Sequence, residues 1–210
     1  MSVSSKLLVQ KYGGSSVGSV ERIAAVVARI ARDRAAGRDV VAVVSAMGDT
    51  TDDLLALASS VTGGALPSAR EQDALLATGE IQSAALLAMA LIARGTDAIS
   101  LSGAQAGISA DGTYGKGRIA GIEPRRVRAE LVAGRVVIVA GFQGVSEGSE
   151  TTTLGRGGSD TSAVALAAAL GADTCEIYTD VPGVLTTDPR KVADAQLMAQ
   201  VSCDEMLELA

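Results

Sequence analysis

The chain has 210 residues, 48% of them hydrophobic and 20% charged, with a formal net charge of −6. This length supports one domain whose core needs no staples, and the negative balance argues against general nucleic-acid binding. Histidine is absent, which excludes Ser-His-Asp and Cys-His catalysis and every zinc site built on imidazole.

Along the chain, predicted strands alternate with predicted helices. Lys6 to Lys11 is a short apolar run. Val17 to Ala36 carries Val20, Ile23, Val26, Val27 and Ile30 at helical spacing and stops at Gly37. Asp39 to Ser45 (DVVAVVS) is a β-branched run of the kind buried on both faces of a sheet. Thr51 to Val61 reads as a helix, 63 to 68 (GGALPS) as a turn, and Arg70 to Arg94 as a long helix ended by Gly95. A strand at Ala98 to Leu101 follows, then a helix at Pro124 to Ala133 with proline at its start. Val136 to Ala140 (VVIVA) is a second doubly buried strand. Ser159 to Leu170 is an alanine-rich helix closed by Gly171, and Thr174 to Tyr178 is a strand. Strands joined through helices imply right-handed crossovers and a mostly parallel sheet covered on both faces, an α/β fold. Ligands of such sheets sit beyond the carboxyl ends of the strands.

The core must be built from Ala, Val, Leu and Ile, because there is no Trp, one Phe (Phe142) and three Tyr. Twenty-four glycines against four prolines point to tight turns and close backbone approaches. Met1 to Leu8 shows no apolar stretch behind a basic start, so no signal peptide is expected. The longest apolar run, Ala84 to Ala93, is too short for a bilayer span. Cys175 and Cys203 read as reduced thiols of a cytoplasmic protein.

Five motifs follow strands or open helices. Lys11-Tyr-Gly13-Gly14-Ser15-Ser16 leaves the first strand; it fits either an anion site, with backbone N–H groups and a lysine around phosphate, or a plain strand-to-helix turn. It lacks the Walker A spacing. Ser45-Ala-Met-Gly-Asp-Thr-Thr51 offers hydroxyls to a polar ligand or merely caps a helix. Glu80, after Gly79, either faces solvent or meets a cationic ligand group, since a carboxylate buried alone among leucines is costly. Thr151 to Asp160 (TTTLGRGGSD) gathers Arg156, three glycines, a serine and an aspartate at one helix start. Arg156 can bind a carboxylate bidentately, and Asp160 is a helix-start carboxylate or an amine partner. Thr179-Asp180-Val-Pro-Gly183, continued by Thr186-Thr-Asp188-Pro-Arg190, leaves the last strand. Gly115 to Ala120 (GKGRIA) matches a dinucleotide spacing but opens no clear helix and is read as a loop.

In this order, KYGGSSV (11–17), VVSAMGDTTDDLL (43–55), GE (79–80), SGAQAGI (102–108), VAGFQGV (139–145), TTLGRGGSDTSAVALAAALGAD (152–173) and YTDVPGVLTTDPR (178–190) resemble the catalytic domain of the aspartate kinases, within the amino-acid kinase family. The resemblance runs over almost the whole chain. It implies a three-layer αβα sandwich with a mostly parallel central sheet. It also implies transfer of the γ-phosphoryl group of ATP, with Mg2+, to the β-carboxylate of L-aspartate.

By the same resemblance Lys11 stabilises the moving phosphoryl group, and Gly13, Gly14 and Ser15 shape the phosphate loop. Ser45, Thr51, Glu80 and Arg156 hold the aspartate. Asp160 positions the substrate amine or organises Lys11, and Thr179, Asp180, Asp188 and Arg190 line the nucleotide site. No resident metal ligands, nucleic acid or membrane are implied, and a homodimer or partner-dependent oligomer is. The alternatives are a non-catalytic or partner-dependent module of this fold, and a sister kinase acting on another small carboxylate.

Three departures stand out. Ile81 replaces the family's usual arginine, and Leu185 stands where an aromatic is usual. The helix begun by the capping box Ser202-Cys-Asp-Glu205 stops at Ala210. The expected domain is therefore a catalytic domain over 1–210 that is incomplete at its C-terminus and lacks regulatory ACT domains.

Overall fold

The computed structural model describes residues 6–181, 183–188, 191–192, 194–202 and 204–206. The chain divides into two compact units, Met1–Tyr178 and Thr179–Ala210.

The first unit opens with β1 (Leu7–Tyr12), a one-turn helix α1 (Gly14–Val17), α2 (Val20–Ala35) and β2 (Asp39–Val44). Next come α3 (Thr50–Val61), the long α4 (Ala69–Ile92), β3 (Ala98–Leu101), β4 (Ile108–Ala110) and β5 (Ile119–Ile122). The unit closes with α5 (Arg125–Val132), β6 (Val136–Ala140), β7 (Gln143–Val145), β8 (Thr151–Thr153), α6 (Gly158–Leu170) and β9 (Thr174–Tyr178).

The central sheet has the order β3-β6-β2-β1-β9 and is parallel throughout. Its strands alternate in the side chains they send to each face. Val40, Ala42 and Val44 pack with Ile23, Val27 and Ile30 of α2 and with Leu87 and Leu91 of α4. Val41 and Val43 pack on the other face with Val127 of α5 and Leu166 and Leu170 of α6. These are the three layers expected, and each doubly buried β-branched run occupies an inner strand, β2 or β6.

Two details depart from the sequence reading. The helix expected over 17–36 is interrupted at Gly18, and Ser19 restarts it from an extended backbone (φ −153°, ψ 166°) with its side chain accepting from the Arg22 N–H. A second sheet of order β5-β4-β7-β8 was not expected. It contains the end of the segment read as a loop: Gly115 to Arg118 lie in turn and bridge, but Ile119 and Ala120 enter β5.

Helix α4 is long and apolar enough to cross a membrane by length and composition alone, and half of its apolar window is buried within the fold. It is a core helix, because its buried stripe includes Asp73 and Glu80 beside Leu76, Leu87 and Leu91.

In the second unit, Leu185 bridges Leu197 antiparallel, and Thr186 N donates to Gln196 O at 2.9 Å. Ser202 and Glu205 form the reciprocal bonds of the expected capping box: Glu205 N donates to Ser202 Oγ at 3.2 Å, and Ser202 N to Glu205 Oε2 at 2.8 Å. Cys203 lies outside the described residues.

Candidate functional site

The site forms beyond the carboxyl ends of β1 and β2, where a parallel sheet places its ligands. Lys11 is paired on its two sides with Val43 and Ile177. Period-two alternation sends its side chain to the face of Val9, under the start of α6. There Lys11 Nζ meets Asp160 Oδ1 at 2.8 Å, as charge pairing without hydrogen-bond alignment. Lys11 is nearly buried, whereas the Asp160 side chain is 43% exposed, so the pair forms the inner wall of an open site.

The glycine turn after Lys11 is held on both sides. Gly13 N donates to Tyr178 O at 3.3 Å, and Gly48 N donates to Gly14 O at 3.2 Å. A Cβ on Gly14 would lie 2.7 Å from Ala46 O, so any larger residue would push the two turns apart. The helix that begins here is the single turn α1; the long helix starts only at Val20. The turn therefore opens one helical turn and not the long helix expected over 17–36. Ser15 sits in α1 with its carbonyl accepting from Arg22 and does not line the cavity.

The opposite wall comes from α4. Glu80 is 3% exposed, which excludes the solvent-facing alternative for it. Its Oε1 accepts from Ala46 N at 3.0 Å, while Oε2 has no hydrogen-bond partner among the described residues. Gly79 makes this approach possible, because a Cβ there would stand 2.9 Å from Ala46 Cβ. Burial pushes the Glu80 carboxyl up to about 7, against the smaller opposing effect of the Ala46 N–H bond. An unpartnered carboxylate oxygen in such a place is best satisfied by a cationic group entering the cavity.

Lys11, Ser45, Thr51, Glu80, Phe142 and Gly157 to Asp160 line one cavity of about 280 Å³, near the lower end of small-molecule sites at roughly 300–1,000 Å³. Pure helix capping does not account for Ser45 and Thr51: the N-cap of α3 is Asp49, without a side-chain cap bond. Phe142 is a lining residue that the sequence reading treated only as packing. It holds φ at 63°, a conformation uncommon for a bulky residue. Gly158 accommodates it, since a Cβ there would meet Phe142 Cδ2 at 2.9 Å. The available signal was a lone aromatic placed just after Gly141 at the end of a buried strand.

Arg156 is exposed on the loop before α6, does not line the cavity and has no ion pair or hydrogen bond among the described residues. Thr179, Asp180 and Asp188 belong to the second unit. There Thr179 Oγ1 donates to Asp180 Oδ1 at 3.1 Å, and the Asp188 carbonyl accepts from Lys191 N at 3.0 Å. Arg190 lies outside the described residues. No group of three or more carboxylates or thiols fit to hold a metal ion occurs among the described residues.

Residues 6–210 match the model of the amino acid kinase family. The aspartokinase of Bacillus sp. (strain MGA3) is 57% identical over 204 residues, 97% of this chain and 49% of that protein. The aspartokinase of Mycolicibacterium smegmatis is 57% identical over 205 residues, 97% of this chain and 48% of that protein. The chain thus spans about half the length of the curated relatives it matches. Among solved structures, aspartate kinase from Synechocystis superposes with a TM-score of 0.82 at 56% identity, covering 96% of this chain and 33% of that one. E. coli aspartokinase III in complex with aspartate and ADP gives a TM-score of 0.76 at 26% identity, covering 92% of this chain and 53% of that one.

Proposed function

The chain belongs to the amino acid kinase family, and from that premise we propose that it carries aspartate kinase chemistry, forming 4-phospho-L-aspartate from L-aspartate and ATP. The observation that carries this reading is one cavity with a lysine–aspartate pair on one wall and a buried, half-satisfied glutamate on the other. The aspartokinases matched above, one of them solved with aspartate and ADP, support the choice of substrates.

A side-chain carboxylate with a reference pKa near 4 is already ionised at neutral pH, so a chain without histidine needs no general base. One β-carboxylate oxygen attacks the γ-phosphorus, the bond from that phosphorus to the bridging oxygen breaks, and ADP leaves. Catalysis is then alignment plus neutralisation of spread negative charge. Lys11 supplies the positive charge, held by Asp160, and the Gly13–Gly14 turn leaves room for phosphate beside it. Glu80 Oε2 takes the α-ammonium, Ser45 and Thr51 hydrogen-bond the acid, and Arg156 closes from its loop on the α-carboxylate. Thr179, Asp180, Asp188 and Arg190 serve the nucleotide. Magnesium bound with the nucleotide would supply further positive charge against its phosphates, which suits its preference for phosphate oxygens over all-protein cages. The setting is cytoplasmic, as part of a dimer or a partner-dependent oligomer, with the product leading towards lysine, threonine and methionine.

The test traps the acyl phosphate with hydroxylamine, using aspartate and a panel of other small acids. Because the chain spans half its relatives' length, it is assayed alone and fused to the remaining half of the Bacillus protein. ATP-dependent aspartyl hydroxamate is expected. Folded protein that yields none in either form, or that prefers another acid, overturns the assignment.

A further inference from the structure

We infer that Asp73 is a positioning residue that fixes the spacing between the two cavity walls that hold the acceptor. This inference rests on the aspartate kinase reading for its substrate, but not for its geometry.

Asp73 is 1% exposed on α4. Its Oδ1 accepts from Gly115 N at 3.0 Å and from Thr153 Oγ1 at 2.7 Å. Its Oδ2 accepts from Gly115 N at 3.0 Å and from Thr153 N at 2.8 Å. No lysine or arginine pairs with it among the described residues. A buried carboxylate held entirely by two backbone N–H groups and one hydroxyl is a geometric device: every donor it uses belongs to a different element from its own.

What it connects gives the device its function. Glu80 lies seven residues further along the same buried stripe of α4, two helical turns or about 10.5 Å away. On the other side, Thr153 ends β8. Leu154 N then donates to the carbonyl of Phe142 at 2.8 Å, and the loop of Gly155 to Gly157 leads into Ser159 and Asp160. Between the two walls, Gln143 Nε2 donates to Ala77 O at 2.9 Å.

Three buried ties therefore register α4 against the rest of the cavity: Asp73 to Thr153, Ala77 to Gln143, and Glu80 to Ala46. Asp73 is the one that reaches the strand feeding Arg156 and Asp160. Lys11, Gly13 and Gly14 are placed by the pairing of β1 with β2 and β9 instead. Loss of the Asp73 tie should thus displace the acceptor walls and leave the phosphate turn in place.

The experiment uses the Asp73→Asn variant, whose amide would face N–H donors with an N–H of its own, and Thr153→Val, which removes the hydroxyl and keeps the amide bond. In Asp73→Asn, KM for aspartate rises about tenfold or more, while KM for ATP stays within about twofold. Thr153→Val gives a smaller rise of about threefold, in aspartate KM alone. Amide hydrogen exchange adds a geometric arm: in Asp73→Asn the amides of Thr153 and Ala46 exchange faster than in the parent and Gly13 does not, and in Thr153→Val, which keeps the residue-153 amide bond, the Ala46 amide does so alone. A merely structural loss would lower the melting temperature and move both KM values together.

Unchanged aspartate KM in folded Asp73→Asn, equal rises in both KM values, or an Ala46 amide as protected as in the parent overturns the inference. If Asp73→Asn does not fold, Thr153→Val decides by the same readouts. A parent protein without turnover sinks the functional reading alone, because the Ala46 and Thr153 amides still report whether the tie holds the walls.

Discussion

Replacing Glu80 by glutamine removes an ionisable group from the cavity wall while keeping its shape, and the consequence for stability has a definite sign. Burial raises the folded-state carboxyl from 4.5 to about 7. Between those values the folded chain holds a proton that the unfolded chain has released, so stability falls as pH rises through this window and stays low above it. At about 1.4 kcal/mol per tenfold change, the loss amounts to about 3 kcal/mol by pH 8.5. Glu80→Gln has no such loss. Its carbonyl still accepts from Ala46 N, and its amide replaces the unpartnered Oε2, which costs about 1–3 kcal/mol at any pH. Urea unfolding of both proteins at pH 5 and pH 8.5 measures the difference. The variant should gain on the parent by about 2.5 kcal/mol between the two pH values, since pH 5 already lies above the unfolded-state value, while losing affinity for aspartate. A parent-minus-variant difference that does not change with pH would falsify the burial argument, because the other titrating groups are common to both proteins.

Lys11→Met should lower turnover by roughly 10²–10³-fold or more, with little change in melting temperature, since a partly exposed pair contributes only about 0–1 kcal/mol; parent-like rates would remove Lys11 from the chemistry. Gly14→Ala drives a methyl group to 2.7 Å from Ala46 O, so it should destabilise by about 1–3 kcal/mol and raise KM for ATP in steady-state assays. Leu166→Ala leaves a void where α6 meets the sheet and should cost about 2–5 kcal/mol by urea titration.

The architecture was legible wherever burial stamps a simple period on the sequence. The runs of β2 and β6 announce strands buried on both faces, and Gly79-Glu80 stands out as a polar break in an apolar helix. The second sheet was not legible, because β4, β7 and β8 have three residues each and β5 four, too short to display alternation. Its register is set by tertiary ties such as Asp73 to Thr153, which no local pattern encodes. The break before α2 was missed because Val17 and Val20 keep helical spacing across Gly18, and the cap geometry of Ser19 decides the matter. In the site, helical spacing gives the position of Glu80 but not what faces it. Phe142 was missed since its lining role depends on a left-handed backbone that only the fold imposes. Arg156, assigned to the acid by resemblance, stands exposed outside the cavity lining. A side chain on a glycine-flanked loop has no position that sequence can fix.

We propose that an aspartate carboxylate oxygen attacks the γ-phosphorus of ATP in the cavity between Lys11 and Glu80. The direct measurement is 31P NMR of the reaction run with L-aspartate labelled with 18O in its β-carboxylate. An acyl phosphate resonance bearing the isotope shift of one 18O on phosphorus is expected, formed together with ADP and lost in Lys11→Met. An acyl phosphate without the shift, or release of ADP with unlabelled inorganic phosphate alone, contradicts it.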